Sequence, residues 1–194
     1  MKKLGVLTIG QSPRPDMLED ILPILGGNMK IIEAGALDGL SKTEINALAP
    51  DAEDRILVTK LADGTVIRVA EEALNARMQA KINQLEGEGA DCILILCTAR
   101  FKGLQSSVPC IEPGGVLNRI IPQMSPNSRI GVLSPEADQI PSTKRDWEGI
   151  VDHIEVLTAS PYGEEPEIEE AAIQFGQMNI DLVVLDCMGY TEAI

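Results

Sequence analysis

Two cysteines close two nearly identical strand-like runs of the sequence. Residues 91–97 and 181–187 each begin with an aspartate, continue through mostly apolar residues and end in Cys97 or Cys187. A thiolate is a competent base and its conjugate thiol a competent acid, provided that the ordinary thiol pKa of about 8.5 is lowered. One thiol on each side of a carbon could remove a proton from one face and return it to the other. The pattern therefore indicates proton transfer at the α-carbon of an acid.

A structural interpretation of both cysteines carries equal weight. Free cysteine is among the most buried residue types and commonly packs as a small hydrophobic residue. A single cysteine at a strand end would favour that interpretation. Two cysteines at matching positions support the catalytic and the structural interpretation equally.

A second pair of runs supports a duplication of the chain. Residues 3–8 and 129–134 are both short apolar runs closed by threonine or serine. Strand-length apolar runs alternate with helix-period segments, which is typical of parallel sheets flanked by helices. We therefore expect one α/β unit over 1–194, made of two pseudosymmetric lobes, 1–125 and 126–194. Both cysteines would then line the cleft between the lobes, since ligands collect at the carboxyl ends of parallel strands.

The periodicity also predicts the individual elements. Strands are expected near residues 3–9, 29–34, 91–97, 108–112, 129–134, 153–158 and 181–187. Helices are expected at 70–86, about 114–123 and 165–178, and a capping box predicts a short helix after Ser41. Two β-rich runs around Asp63-Gly64 predict a hairpin inserted into the first half.

The two halves differ in length after their cysteines. The first half continues through a strand and a helix, whereas seven residues follow Cys187. By analogy, we expect the last strand and helix of the second half to be absent, as in a truncated chain. The apolar sheet edge left in this way would need cover, so a homo-oligomer is possible.

The loop after the first strand contains Ser12-Pro13-Arg14. Ser12 suits the N-cap and Pro13 the first position of a helix, whose free amide groups could bind an anion. Arg14 could hold a carboxylate through two parallel hydrogen bonds. A plain connection with a surface arginine is the alternative, and the two interpretations are evenly matched.

Three further residues lie close to predicted strand ends. Glu112 ends the strand near Val108 and is expected to line the cleft, either as a ligand contact or as a loop-stabilising acceptor. Gly189 lies in the turn after Cys187. Tyr190 follows it and could cap a substrate or pack against the absent tail. For Asp186, the sequence favours a structural hydrogen bond over a role in orienting the thiol of Cys187.

Composition and motifs exclude several classes of function. The formal net charge is −14, with 30 acidic and 16 basic residues, which opposes binding to nucleic acid or anionic lipid. No apolar stretch approaches the roughly 18 residues of a membrane helix, and no signal-like segment opens the chain, so we expect a cytoplasmic protein without a membrane partner. The four cysteines lack metal-site spacing and are expected to be reduced thiols. No phosphate-binding glycine motif indicates a cofactor, and the lone His153 supports no catalytic triad.

Four segments together resemble the AroM family. They are residues 7–16, 95–99, 111–113 and 185–190, with the sequences Leu-Thr-Ile-Gly-Gln-Ser-Pro-Arg-Pro-Asp, Ile-Leu-Cys-Thr-Ala, Ile-Glu-Pro and Leu-Asp-Cys-Met-Gly-Tyr. AroM proteins look like relatives of the aspartate/glutamate racemase superfamily, which includes cofactor-independent racemases, maleate isomerases and malonate decarboxylases.

The resemblance implies two α/β lobes and an acid/base pair formed by Cys97 and Cys187. It also implies that Thr98 and the loop from Ser12 to Arg14 hold a substrate carboxylate, with no cofactor. Racemases of the superfamily usually carry Asn-Thr and Thr-His after their two cysteines, whereas Thr98-Ala99 and Met188-Gly189 stand here. A one-cysteine isomerase or decarboxylase, or a binding protein without chemistry, therefore remains an alternative.

Overall fold

A computed structural model describes residues 1–124 and 127–191 of the chain. The chain forms two compact units, Met1–Pro113 and Gly114–Ile194. Each unit contains a parallel sheet with helices packed on it, so the α/β fold class predicted from the alternating pattern is confirmed. The boundary falls just after the start of the helix that follows Glu112, whereas the sequence placed it after that helix.

The first unit contains six strands and three helices in its described residues. The strands are β1 (Lys2–Thr8), β2 (Met29–Gly35), β3 (Ile56–Lys60), β4 (Val66–Ala70), β5 (Cys92–Leu96) and β6 (Cys110–Ile111). The helices are α1 (Pro15–Leu25), α2 (Lys42–Asn46) and α3 (Glu71–Gly87). The main sheet has the order β2-β1-β5-β6 and is parallel throughout, while β3 and β4 form a separate antiparallel pair.

The antiparallel pair is the hairpin predicted from the Asp-Gly turn. Gly64 has a φ of +82°, a conformation that glycine adopts without the steric cost of a Cβ. The hairpin also holds the loop after β1, because the amide of Ala62 donates to Oε1 of Gln11 at 2.8 Å. The amide of Gln11 in turn donates to the carbonyl of Lys60 at 3.3 Å. The β3–β4 hairpin therefore stabilises the loop after β1, which the sequence predicts to bind an anion.

The second unit contains three strands, three α-helices and one short 3-10 helix (Ala137–Gln139) in its described residues. The helices are α4 (Pro113–Met124), α5 (Ile140–Trp147) and α6 (Glu165–Gln177), and the strands are β7 (Arg129–Ser134), β8 (His153–Thr158) and β9 (Leu182–Leu185). The parallel sheet has the order β8-β7-β9. Ile121 of α4 and Trp147 of α5 share a cluster with Val132, whereas Phe175 of α6 shares one with Leu133. Successive residues of β7 point to opposite faces, so α6 covers the face opposite α4 and α5.

The aspartates that open the repeated runs have the same structural role. Asp91 accepts a hydrogen bond from the amide of Lys3 at 2.8 Å and donates its own amide to the Lys3 carbonyl at 2.9 Å. Asp181 does the same with Arg129, at 2.8 and 3.0 Å. Each aspartate therefore fixes the register of its strand against the central strand of its sheet. The repeat seen in the sequence extends to side-chain hydrogen bonds.

Two elements differ from the prediction. Helix α5 was not predicted, because its buried positions include Ser142 and Thr143 and so carry no apolar periodicity. The strand expected at 108–112 is reduced to Cys110–Ile111. None of the helices in the described part of the chain combines the length and apolar character needed to cross a membrane.

Candidate functional site

Both candidate cysteines lie just beyond the carboxyl end of a parallel strand. Cys97 directly follows β5, and Cys187 follows β9 after one intervening residue. The amide of Ala99 donates to Sγ of Cys97 at 3.4 Å, and the amide of Gly189 donates to Sγ of Cys187 at 3.3 Å. An amide donor stabilises negative charge on sulfur. The two turns therefore share one arrangement, in which the amide two residues ahead favours the thiolate.

The surroundings of the two thiols differ. Cys97 is 8% exposed and belongs to the main hydrophobic cluster of the first unit, together with Leu7, Ile95 and Phe101. Cys187 is half-buried. Apolar neighbours disfavour a thiolate because they replace water around the charge. Cys187 is the more accessible of the two thiols and Cys97 the more enclosed.

Thr98 and Glu112 are both half-buried in the first unit. Thr98 is adjacent to Cys97, and Glu112 lies between β6 and α4. Burial, together with the charge of Glu112, raises the pKa of the Cys110 thiol to about 11. Cys110 is therefore protonated near neutral pH. All four cysteines lack a disulfide in the structure.

Ser12 does not cap a helix, contrary to the prediction. Helix α1 begins at Pro15, with Arg14 at its N-cap position. The amide of Ser12 donates to Oδ1 of Asp38 at 2.8 Å, and its hydroxyl donates to Oδ2 at 2.6 Å. The same carboxylate accepts the amide of Gly35 at 2.7 Å. Asp38 thus joins the loop after β1 to the loop after β2, and this contact draws Ser12 away from the helix.

Arg14 makes the paired hydrogen bonds expected of a carboxylate clamp, but with a carboxylate of its own unit. Its Nε and Nη2 donate to the two oxygens of Asp16 at 2.9 and 2.8 Å, and Arg14 is 4% exposed. These hydrogen bonds hold the pKa of Asp16 below its usual value, although partial burial opposes them. The amide of Arg14 donates to Oε2 of Glu33 at 2.8 Å. An anion reaching this loop would have to displace internal carboxylates.

Gly189 and Tyr190 join Cys187 in one turn of the second unit. The Tyr190 hydroxyl donates to the carbonyl of Ala159 at 2.5 Å, and the side chain packs on the cluster that contains Leu133 and Phe175. Burial, followed by the nearby Cys187 and Asp186, raises the pKa of the Tyr190 phenol above its usual range. Tyr190 is therefore a protonated donor that ties the cysteine turn to the loop after β8.

Sequence reasoning missed three residues at these strand ends. Asp38 and Glu33 hold the loop after β1, and an acidic residue next to a glycine-rich turn was the available signal for Asp38. Tyr162 lies in the loop after β8, and a Cβ built on Gly189 would lie 2.8 Å from its hydroxyl oxygen. The signal for Tyr162 was its rarity, since the chain has two tyrosines.

The structure brings the predicted residues together in separate local groups. Ser12 and Arg14 share one loop, Cys97 and Thr98 one turn, and Cys187, Gly189 and Tyr190 another. Within the described residues, no group of three histidine, cysteine, aspartate or glutamate side chains is placed to hold a metal ion. Each unit therefore provides one thiol with amide support at a strand end, which is a group suited to proton transfer.

Solved structures with a similar fold include racemases and a racemase homologue. An allantoin racemase from Klebsiella pneumoniae superposes with a TM-score of 0.59 at 13% identity, covering 97% of this chain and 75% of that one. An aspartate racemase homologue from Pyrococcus horikoshii gives 0.56 at 15%, covering 100% and 88%. The aspartate racemase of Picrophilus torridus gives 0.58 at 12%, covering 97% and 82%. At these identities the similarity shows a shared fold.

No curated protein matches the sequence significantly. The family model described as AroM protein matches residues 4–194. This range includes both cysteine turns and the loop after β1. The four segments that resembled this family in the sequence therefore lie inside one continuous match, and the chain belongs to the AroM family.

Proposed function

We propose that the protein is a cofactor-independent racemase or isomerase that acts on a small carboxylate, either an amino acid or a dicarboxylate. The observation that carries the proposal is the matched hydrogen bond from an amide to the sulfur of Cys97 and to that of Cys187. A racemase-like fold supports it, since three structural relatives are named as racemases or a racemase homologue.

In this proposal, both thiols serve one substrate molecule. One sulfur, as thiolate, takes the proton from the α-carbon, and the electron pair passes into the carboxylate as an enediolate. The other sulfur, as thiol, returns a proton to the opposite face, so that the two cysteines exchange protonation states in each turnover. Ser12, Arg14, Thr98, Glu112, Gly189 and Tyr190 are the proposed substrate-binding residues.

A non-catalytic small-molecule binding or regulatory protein is the second candidate. The burial of Cys97 in the apolar cluster favours it, because a proton-transfer group must reach the reacting carbon. The internal pairing of Arg14 with Asp16 points the same way. A third possibility combines features of both candidates: a one-cysteine isomerase or decarboxylase, in which only the more exposed Cys187 takes part in the chemistry.

Hydrogen exchange with solvent distinguishes these functions. The protein is incubated in deuterated water with a panel of amino acids, hydroxy acids and dicarboxylic acids, and deuterium at the α-carbon is measured by mass spectrometry. The proposal predicts labelling that falls by about 10²-fold or more in Cys97→Ser and in Cys187→Ser. Labelling that Cys97→Ser retains would assign a one-cysteine mechanism. Binding of a panel member without any labelling would identify the binding protein.

The proposed partner is the small carboxylate itself, with neither nucleic acid nor a membrane, and a homo-oligomer is compatible with the proposal. We place the protein in the cytoplasm, where thiols stay reduced.

A further inference from the structure

The Tyr162 ring occupies the space that a side chain at residue 189 would need. The amide of this residue, Gly189, donates to the sulfur of Cys187. A Cβ built on Gly189 would lie 2.8 Å from the Tyr162 hydroxyl oxygen and 2.9 Å from its Cε1 and Cζ atoms. Real Cβ atoms essentially never come within 3.0 Å of another atom in this way. The ring therefore occupies the space of a residue-189 side chain, next to the peptide whose amide donates to Sγ of Cys187.

A second tyrosine makes the reverse connection. Tyr190 belongs to the cysteine turn and donates its hydroxyl to the carbonyl of Ala159, in the loop after β8. Tyr162 belongs to that loop and packs on Gly189 in the cysteine turn. The loop is itself fixed, since the amide of Ala159 donates to the carbonyl of Ser134 at 3.1 Å. Tyr162 and Tyr190 therefore each connect the loop after β8 to the cysteine turn.

The first unit has a different arrangement at the matching position. Ala99 donates its amide to Cys97 as Gly189 does to Cys187, but Ala99 carries a Cβ and is 5% exposed within the hydrophobic cluster. Apolar packing holds that peptide. At Gly189 the place of the methyl group is taken by the Tyr162 ring. The Tyr162 ring therefore restricts the Gly189 peptide from one side, in addition to the hydrogen bonds that Tyr190 makes through its hydroxyl to Ala159 and through its amide to the carbonyl of Cys187.

We propose that Tyr162 is a positioning residue that holds the Gly189 amide against the Cys187 sulfur and so sets the reactivity of that thiol. Because Cys187 is one of the two cysteines assigned to proton transfer, this role rests on the proposed function for its use in turnover. The effect on the thiol is a property of the turn itself, present with or without a substrate.

Alkylation of the full-length protein tests this role without a substrate. Iodoacetamide labelling of each cysteine is followed by peptide mass spectrometry from pH 6 to 10, in the unmodified protein and in Tyr162→Ala. A lost amide hydrogen bond is expected to raise the half-maximal pH of Cys187 labelling by about 0.5 to 1 unit. Greater access to the sulfur would raise the plateau rate and, because water would solvate the thiolate, would lower the half-maximal pH, so the two effects have opposite signs.

Tyr162→Phe is the matched control because it keeps the ring atoms that touch Gly189. It should leave the half-maximal pH unchanged. Gly189→Ala is the second variant and should raise it, because the added Cβ forces the ring or the peptide to move. This variant keeps Tyr162 and guards against loss of the fold in Tyr162→Ala. Cys97 labelling is the internal control and should be unaffected in every variant.

An unchanged half-maximal pH for Cys187 in both Tyr162→Ala and Gly189→Ala would overturn the proposal. An equal shift at Cys97 would also overturn it, since that would show a general loosening of the protein. A shift in Tyr162→Phe as large as in Tyr162→Ala would assign the effect to the hydroxyl and contradict ring packing. The deuterium experiment tests the proposed function separately. If no substrate is labelled but the pH of Cys187 alkylation still shifts in Tyr162→Ala, the racemase proposal is rejected and Tyr162 remains a positioning residue.

Discussion

In the first unit, the carbonyl of Ala36 accepts a hydrogen bond from Nε of Arg77 on α3, at 2.5 Å. In the second unit, the carbonyl of Ala159, which follows β8 as Ala36 follows β2, accepts the hydroxyl of Tyr190 instead. Both alanines donate their amides to the last residue of the central strand, at 2.9 and 3.1 Å. This main-chain hydrogen bond is therefore common to the two units, while the side chain that binds the alanine carbonyl differs.

This difference separates the two thiols chemically. The arginine ties its loop to a helix, and Cys97 lies among packed apolar side chains. The tyrosine Tyr190 ties its loop to the cysteine turn, in which Cys187 is half-buried and Gly189 lies against the Tyr162 ring. Equivalent positions in a duplicated chain need not keep equivalent reactivity.

The largest expected difference is in thiol reactivity. Cys187 should react with iodoacetamide at pH 8 roughly 10- to 100-fold faster than Cys97, because access and solvation of the thiolate both favour it. Peptide mass spectrometry after timed labelling measures each rate. Equal rates, or a faster Cys97, would show that burial in the apolar cluster does not distinguish the two sulfurs.

The matching glycines of the central strands should respond unequally to alanine. A Cβ on Gly131 would lie 2.8 Å from ring atoms of Phe175, whereas one on Gly5 would lie 3.2 Å from Ile93 and Leu85. We expect Gly131→Ala to lower the free energy of unfolding by about 1–3 kcal/mol and Gly5→Ala by about 1 kcal/mol or less. Urea unfolding measures both, and a larger loss in Gly5→Ala would contradict the packing comparison.

Serine at the two cysteine positions should affect stability differently. Cys97→Ser places a hydroxyl in an apolar cluster and should cost about 1–2 kcal/mol of unfolding free energy. Cys187→Ser changes a half-buried position and should cost about 0.5 kcal/mol or less. Thermal and urea unfolding of both variants test this prediction. Similar losses would mean that both thiols are packed alike.

The smallest effect concerns acid stability at the start of the repeated strands. Hydrogen bonds from Lys2 and from the amide of Lys3 hold the pKa of Asp91 below its usual 3.8. A lowered pKa in the folded state gives stability that is present above pH 3.8 and lost as the pH falls through the folded value. Asp91→Asn should therefore flatten the fall of the urea midpoint below about pH 4.

Asp181→Asn is the matched control, because Asp181 accepts the amide of Arg129 in the same geometry. Asp181→Asn measures what the amide hydrogen bond contributes to the free energy of unfolding when no hydrogen bond from Lys2 is involved. An unchanged acid profile in Asp91→Asn would show that the carboxylate of Asp91 does not add to the pH dependence of folding.

Much of the fold could be predicted because local patterns are strong. The strands of both sheets follow from short apolar runs, the hairpin from Asp63-Gly64 and the helix α2 from the capping box at Ser41. Helix α5 could not be predicted, since it buries Ser142 and Thr143 rather than an apolar stripe. Sequence patterns report burial only where burial is apolar.

The candidate site was predicted less completely than the fold. The cysteines were found because they repeat, and Arg14 because its type suits a carboxylate. That Arg14 would pair with Asp16, and Ser12 with Asp38, depended on side chains brought together by folding. A residue type indicates which hydrogen bonds a side chain can make, and the tertiary structure decides which partner is within reach.

The sequence alone determined that this protein has two repeats, each with a parallel sheet and a thiol at a strand end, because spacing and apolar runs are local properties of the chain. Only the tertiary structure decided that Cys97 is enclosed and that Tyr162 and Tyr190 link the turn of Cys187 to the loop after β8. Exposure depends on segments distant in sequence, and these packed differently around two backbones that kept the same hydrogen bonds.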